Sequence, residues 1–267
     1  FQSTKRPWRI RIKSFPDGWS RVLGNPIHRV SSPAPAAVRA TFTSVAPRYD
    51  LANHLLSGGI DFHWRKKLVS VAREGSCMEV LDLATGSGDV ALALRTKLPA
   101  ESRITGLDFC EPMLEKARQK RDSLKLPEDQ NPFVEGDCLA LPFPANSFDL
   151  VTISFGLRNL ADRELGLSEM LRVLKPGGRL IVLEFTQPYL WFSPFYYLYL
   201  KGFLPWMARL VTGDKDAYLY LGSSISSFPD RPRLSKELEQ AGFSQVRATP
   251  MTFSIVALHC GEKPKHP

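Results

Sequence analysis

Ten residues fix most of what this chain can become. Val80-Leu81-Asp82-Leu83-Ala84-Thr85-Gly86-Ser87-Gly88-Asp89 reads as a short buried strand ending on an acid and a Gly-x-Gly loop. An amphipathic helix over 90–98 follows at once. Glycines, having no Cβ, let a ligand lie against backbone at the strand's carboxyl end. Twenty residues after Gly88 a second apolar run, Ile104–Leu107, ends on Asp108. A carboxylate at the tip of the second strand is where the two hydroxyls of a ribose are gripped. The spacing therefore implies a nucleoside cofactor.

The charge around the loop narrows the choice. A dinucleotide fingerprint places a third glycine three residues after the second; Ala91 stands there, which that pattern tolerates. Asp82 and Asp89 bracket the loop. Carboxylates repel a pyrophosphate and attract a cationic sulfonium with its ammonium group. S-adenosylmethionine fits this pattern and NAD fits it poorly. The plainer alternative is a βα turn that needs glycine for geometry alone.

From residue 41 onward strand and helix patterns alternate, the mark of a mostly parallel sheet with helices on both faces. Strands are expected at Val80–Leu83, Ile104–Leu107, from Phe133–Val134, at Leu150–Phe155 and at Leu180–Phe185, with short ones at Gln245–Ala248 and Phe253–Leu258. Helices are expected near 90–98, 111–124, 162–174 and Arg233–Ala241, the third stopped by Lys175-Pro176-Gly177-Gly178 and the last by Gly242.

The net charge of +8 suggests nucleic acid until it is located. Residues 1–40 carry eight Lys and Arg against the single acid Asp17, leaving 27 bases and 26 acids in the rest. The body is neutral, so no nucleic-acid-binding face is expected. The basic, Ser- and Pro-containing stretch 1–40 reads either as a transit peptide or as a disordered extension outside the fold, which then occupies 41–267. Cys77, Cys110, Cys138 and Cys260 form no Cys-x-x-Cys pair and the five histidines are scattered. Neither zinc nor a disulfide framework is expected. No stretch reaches the roughly 20 apolar residues of a membrane span. The expected location is cytoplasmic or peripheral to an inner membrane; a transit peptide would direct the chain to an organellar matrix.

Several segments are narrower than the fold. Ala46-Pro47-Arg48-Tyr49-Asp50-Leu51-Ala52-Asn53, Ile153-Ser154-Phe155-Gly156-Leu157-Arg158-Asn159, Leu174–Gly178, Val182-Leu183-Glu184-Phe185 and Val256-Ala257-Leu258-His259 together resemble the class I methyltransferases of ubiquinone and menaquinone biosynthesis, the UbiE or MenG type, from about Phe42 to Glu262. The resemblance implies a class I S-adenosylmethionine-dependent methyltransferase fold, α/β, with a doubly wound, mostly parallel, seven-stranded sheet. It implies cofactor contacts from Asp82, Gly86, Ser87, Gly88, Asp108, Asp137, Cys138 and Ser154. Ser87 keeps a hydroxyl where relatives often carry threonine, Asp137 meets the adenine amine, and Ser154 lies close to the sulfonium. The segment 123–132 looks longer than the family pattern; it falls on the surface before the third strand.

The implied reaction is methyl transfer to a ring carbon of a prenylated quinol, demethylmenaquinol in one form and a polyprenyl methoxy-benzoquinol in the other. A quinol carbon is a weak nucleophile until a ring hydroxyl, titrating near pH ~10, loses its proton. Arg158 stays protonated, so the resemblance casts it as a stabiliser of the phenolate or an orienter of water. Asn159 and Tyr49 are candidates for the quinol oxygens. The competing readings are a loop-fastening salt bridge for Arg158 and a lid residue for Tyr49.

Tyr189–Met207 packs nine aromatics into nineteen residues, interrupted by Pro194 and Pro205. This aromatic-rich insertion after the fifth strand, part of 189–232, reads as a cover over the substrate. It offers either an apolar groove for a prenyl tail at a bilayer surface, or core and a homodimer face. Trp191, Phe195, Tyr199 and Phe203 recur every four residues, as on one helical face. A soluble small-molecule methyltransferase and a non-catalytic cofactor-binding scaffold are more distant alternatives.

Overall fold

The computed structural model describes residues 57–75, 77–203 and 215–265. The first 40 residues and the candidate Tyr49 lie outside these. The elements run α1 (Ile60–Ala72), β1 (Glu79–Leu83), α2 (Asp89–Arg95), β2 (Arg103–Asp108), α3 (Glu111–Ser123), β3 (Phe133–Glu135), β4 (Phe148–Ser154), α4 (Arg163–Val173), β5 (Leu174–Phe185), α5 (Ser193–Leu198), α6 (Lys215–Ser227), α7 (Arg231–Gln240), β6 (Ser244–Met251) and β7 (Val256–Glu262). The seven strands form one sheet in the order β3-β2-β1-β4-β5-β7-β6, with β7 antiparallel to both neighbours and the other pairings parallel.

The central strands are apolar on both faces because both faces are covered. Val80, Leu150 and Ile181 turn toward a core that includes Trp64 and Leu68 of α1, Leu94 of α2 and Leu114 of α3. Their neighbours Leu81, Val151 and Val182 turn the other way, onto Leu167 and Met170 of α4 and Leu234 and Leu238 of α7. From β1 the chain winds outward through β2 and β3, then returns to place β4 on the other side of β1. Ligands of such sheets sit at this reversal, beyond the carboxyl ends of the strands.

Element boundaries shift where side chains decide them. Helix α4 ends at Val173, and β5 begins at Leu174 rather than Leu180. Leu174 is buried and pairs with Phe148; the register then shifts, and regular pairing resumes at Leu150 with Arg179. Pro176-Gly177-Gly178 is thus an irregularity within a strand, with Gly177 at φ 77, and not the stop of a helix. Helix α7 starts two residues early because the Asp230 carboxylate accepts from the Arg233 amide at 3.0 Å, with Pro232 in the first turn. The expected strand from Phe253 begins only at Val256, since Thr252, Phe253 and Ser254 all hold positive φ.

Candidate active site

The loop after β1 is bent by three left-handed residues, Ala84 (φ 47), Gly86 (φ 56) and Gly88 (φ 80). Asp82 is buried beneath it. Thr85 Oγ1 and Thr152 Oγ1 each donate to the Asp82 carboxylate at 2.6 Å, so one acid ties the glycine loop to β4. Burial raises its pKa from 3.8 to about 6, and the two hydroxyls pull it part of the way back.

From β2, Asp108 folds over the same loop. Its Oδ2 accepts from the Gly86 amide at 2.8 Å and its Oδ1 from the Cys110 amide at 2.9 Å. After β3, Asp137 is exposed and accepts from the Leu139 amide, whereas Cys138 is buried in the core. Burial pushes the Cys138 thiol up to about 12, so it serves as packing and not as a nucleophile.

Asp89, at the start of α2, meets two cations. Arg65 Nη1 of α1 donates to it at 2.5 Å and Lys120 Nζ of α3 at 2.6 Å, the lysine also reaching Ser87 Oγ at 3.0 Å. The loop is therefore not the simple acidic bracket that its sequence suggests: Asp89 is offset from within the protein. Neither cation is locally legible, because they stand 24 and 31 residues away.

Arg65, Asp82, Ala84, Thr85, Gly86, Ser87, Asp89, Val90, Ser154 and Phe155 line a small cleft at the reversal. Ser154 ends β4, and its buried Oγ has no hydrogen-bond partner. Phe155 follows in a left-handed conformation (φ 56). Gly156 comes next, where an added Cβ would stand 2.5 Å from the Ala84 Cβ. Only glycine lets the β1 and β4 loops approach this closely.

Arg158 and Asn159 occupy a short 3-10 turn just beyond. Arg158 Nη1 donates to Glu184 Oε1 at 2.8 Å and to the Phe155 carbonyl at 2.5 Å, with its guanidinium over the Phe185 ring. Glu184 is 1% exposed and also accepts from the amides of Arg158 and Phe185. The geometry is that of a buried fastening between the β4 loop and the end of β5. Part of the charge a phenolate would meet is already met by Glu184. Asn159 Nδ2 lies 3.5 Å from the Phe155 carbonyl. Trp64, Phe155 and Phe185 form a ring cluster behind the turn, with centroids 4.9–6.2 Å apart.

The aromatic segment is divided. Tyr196 and Leu200 pack on Ile225 of α6, with Tyr199 against them. Trp191 (63% exposed) and Phe195 (67%) face outward beside Leu190 and Leu198. Trp191 precedes α5 and Tyr199 begins a π-turn after it, so the single helical face expected from the spacing is not formed. Gln187 fixes the arrangement by donating to the Ile225 and Phe228 carbonyls at the end of α6 and bonding Tyr197. Among the described residues no helix is long and apolar enough to cross a membrane, and no His/Cys/Asp/Glu group has metal-binding geometry.

The fold is shared with a crystal structure of a "SAM dependent methyltransferase from Aquifex aeolicus", 18% identical, covering 74% of this chain and 88% of that one at a TM-score of 0.53. The chain thus has the class I methyltransferase fold, with the glycine-loop cleft at its strand reversal. Residues 31–263 match the model of the ubiE/COQ5 methyltransferase family. A demethylmenaquinone methyltransferase of Thermus thermophilus is 46% identical over 84% of this chain and all of its own length. A ubiquinone/menaquinone biosynthesis C-methyltransferase UbiE of Shewanella halifaxensis is 42% identical over 85% of this chain and 90% of its own. The chain belongs to the ubiE/COQ5 methyltransferase family.

Proposed function

We propose that the chain is an S-adenosylmethionine-dependent C-methyltransferase that converts a demethylmenaquinol to a menaquinol. The observation that carries this reading is the 46% identity to a demethylmenaquinone methyltransferase across that relative's full length. The relative named for both ubiquinone and menaquinone biosynthesis supports benzoquinol methylation as a second reading.

The cleft suits the cofactor. The orphaned Ser154 hydroxyl offers a donor, and Gly86, partly exposed, presents backbone with no Cβ in the way. Asp108 has acceptor capacity beyond its two amides, since a carboxylate takes about four hydrogen bonds. Asp137 and Cys138 are assigned to the adenine, Asp108 to the ribose, and Gly86, Ser87, Gly88 and Ser154 to the sulfonium side, with Asp82 holding the loop. When bound, S-adenosylmethionine supplies an electrophilic methyl group.

This chain's own task is to present a ring carbon in line with that methyl and to favour loss of the phenolic proton. Arg158 and Asn159 are assigned to the quinol end, with Tyr49. Arg158, permanently charged and held by Glu184, acts on the phenolate or on a water and does not itself take the proton. The outward face of Leu190, Trp191, Phe195 and Leu198 is assigned to the prenyl tail or the bilayer surface, with residues 189–232 as the cover; a homodimer face is the competing assignment. Incubation with methyl-labelled S-adenosylmethionine and reduced demethylmenaquinone should place the label on the naphthoquinol ring. Label on oxygen, or none, would overturn the reading.

A further inference from the structure

We infer that Arg65 anchors the carboxylate at the amino-acid end of the cofactor, a contact supplied by a helix outside the glycine-loop motif. The inference rests on the cofactor reading above and adds a residue to it. Among the described residues that line the cleft, Arg65 is the one cation. It reaches across from α1, with Nη1 on Asp89 and 3.6 Å from Asp61. Its Nε is buried and has no hydrogen-bond partner.

The order of the strands places the end of the ligand. With adenine at the β3 loop and ribose at the tip of β2, the rest of the molecule extends past β1 toward β4. There it meets Ser154, Asp82 and Arg65. An amino-acid group carries both charges. Its ammonium is suited to the acids already present, but its carboxylate beside Asp82 and Asp89 would be repelled without an intervening cation. Arginine's planar, five-donor fork binds a carboxylate while keeping its existing bond to Asp89. Asp89 then acts as a positioning residue: shared between Arg65 and Lys120, it aims the guanidinium without consuming all its donors.

The test uses the full chain and two non-reacting ligands in calorimetry. One is S-adenosylhomocysteine; the other is its decarboxylated amine, identical except for the missing carboxylate. The wild-type chain should favour the carboxylate-bearing ligand by about 10–100-fold, the range of a charge-assisted contact. In Arg65→Ala that preference should collapse to within about twofold, as a double-mutant cycle requires of interacting groups. Because the readout is a ratio, general damage to the loop cancels. Arg65→Gln, which keeps a donor for Asp89, carries the same expectation if the alanine variant does not fold. A preference that survives in either variant overturns the inference. Failure of the wild type to bind either ligand would instead overturn the cofactor reading, and the assignment of Arg65 with it.

Discussion

Glu184→Gln probes the buried fastening between the β4 loop and the end of β5. The substitution keeps shape and one acceptor oxygen, but removes the second acceptor and the charge that faces Arg158 at 2.8 Å. Both side chains are almost fully enclosed, at 1% and 6% exposure, so solvent cannot take over from the carboxylate. Breaking a buried pair by neutralising one member costs about 3–5 kcal/mol, because the other charge is left uncompensated. For a domain of this size each kcal/mol moves the melting midpoint by about 2–4 °C, so a drop of roughly 6–20 °C is expected. Thermal melts followed by circular dichroism measure it. Removing the stranded charge as well, as Arg158→Met with Glu184→Gln, should recover part of that stability but not turnover. A drop below about 2 °C for Glu184→Gln would refute the energetic reasoning. A double variant with wild-type turnover would remove Arg158 from the reaction.

Three more expectations follow from the same cleft and its surroundings. Burial holds the Asp82 pKa near 6, above its ordinary 3.8, so its contribution to stability is fully present below the lower value and lost as pH rises through the upper. Relative to Asp82→Asn, the wild type should lose on the order of 2 kcal/mol between pH 4 and 7.5; urea melts that show no such change would reject the shift. Gly156→Ala drives a Cβ to 2.5 Å from Ala84. It should cost about 1–3 kcal/mol of stability and weaken S-adenosylhomocysteine binding at least about tenfold, since the clash displaces the glycine loop; an unchanged dissociation constant would disprove this. Leu190→Ser with Leu198→Ser, both on the outward face, should leave the melting midpoint within about 2 °C and raise KM for a long-tailed quinol but not for a tail-free one. Equal effects on both substrates would count against a tail-binding face.

The parts of the site legible in the sequence are those whose chemistry is local. Val80–Asp89 and Ser154–Asn159 each carry strand end, turn and candidate residue in one short run; the first run and Ser154–Phe155 line one cleft, and Arg158 and Asn159 follow in the turn just beyond it. What escaped is held by long-range contact. Asp82 reads as an acid facing a ligand, yet it is bonded to Thr152, 70 residues away. Arg65 carries no motif of its own, and Glu184 sits in a quoted segment without any hint that Arg158 is its partner. The aromatic spacing misled for a different reason: Trp191 lies before the first turn of α5, and at Tyr199 the helix passes into a π-turn, which changes the period of the repeat.

The turn between β6 and β7 has consequences for how this protein comes apart. Thr252, Phe253 and Ser254 hold φ of 45°, 56° and 66° in succession, a left-handed run that costs about 1–2 kcal/mol per residue for L-amino acids. Three contacts offset it: the Trp64 indole N–H donates to Thr252 Oγ1, the Tyr189 amide donates to the Phe253 carbonyl, and the Phe253 ring packs on Trp191 and Phe192. Two of these contacts come from the aromatic stretch 189–192 and the third from α1. Loosening of the aromatic segment would thus release the hairpin turn to relax toward ordinary backbone, and that relaxation would oppose its return. Local opening at this corner is expected to be cooperative, with amide exchange reporting Tyr189, Phe192 and Ile255 as a single kinetic group.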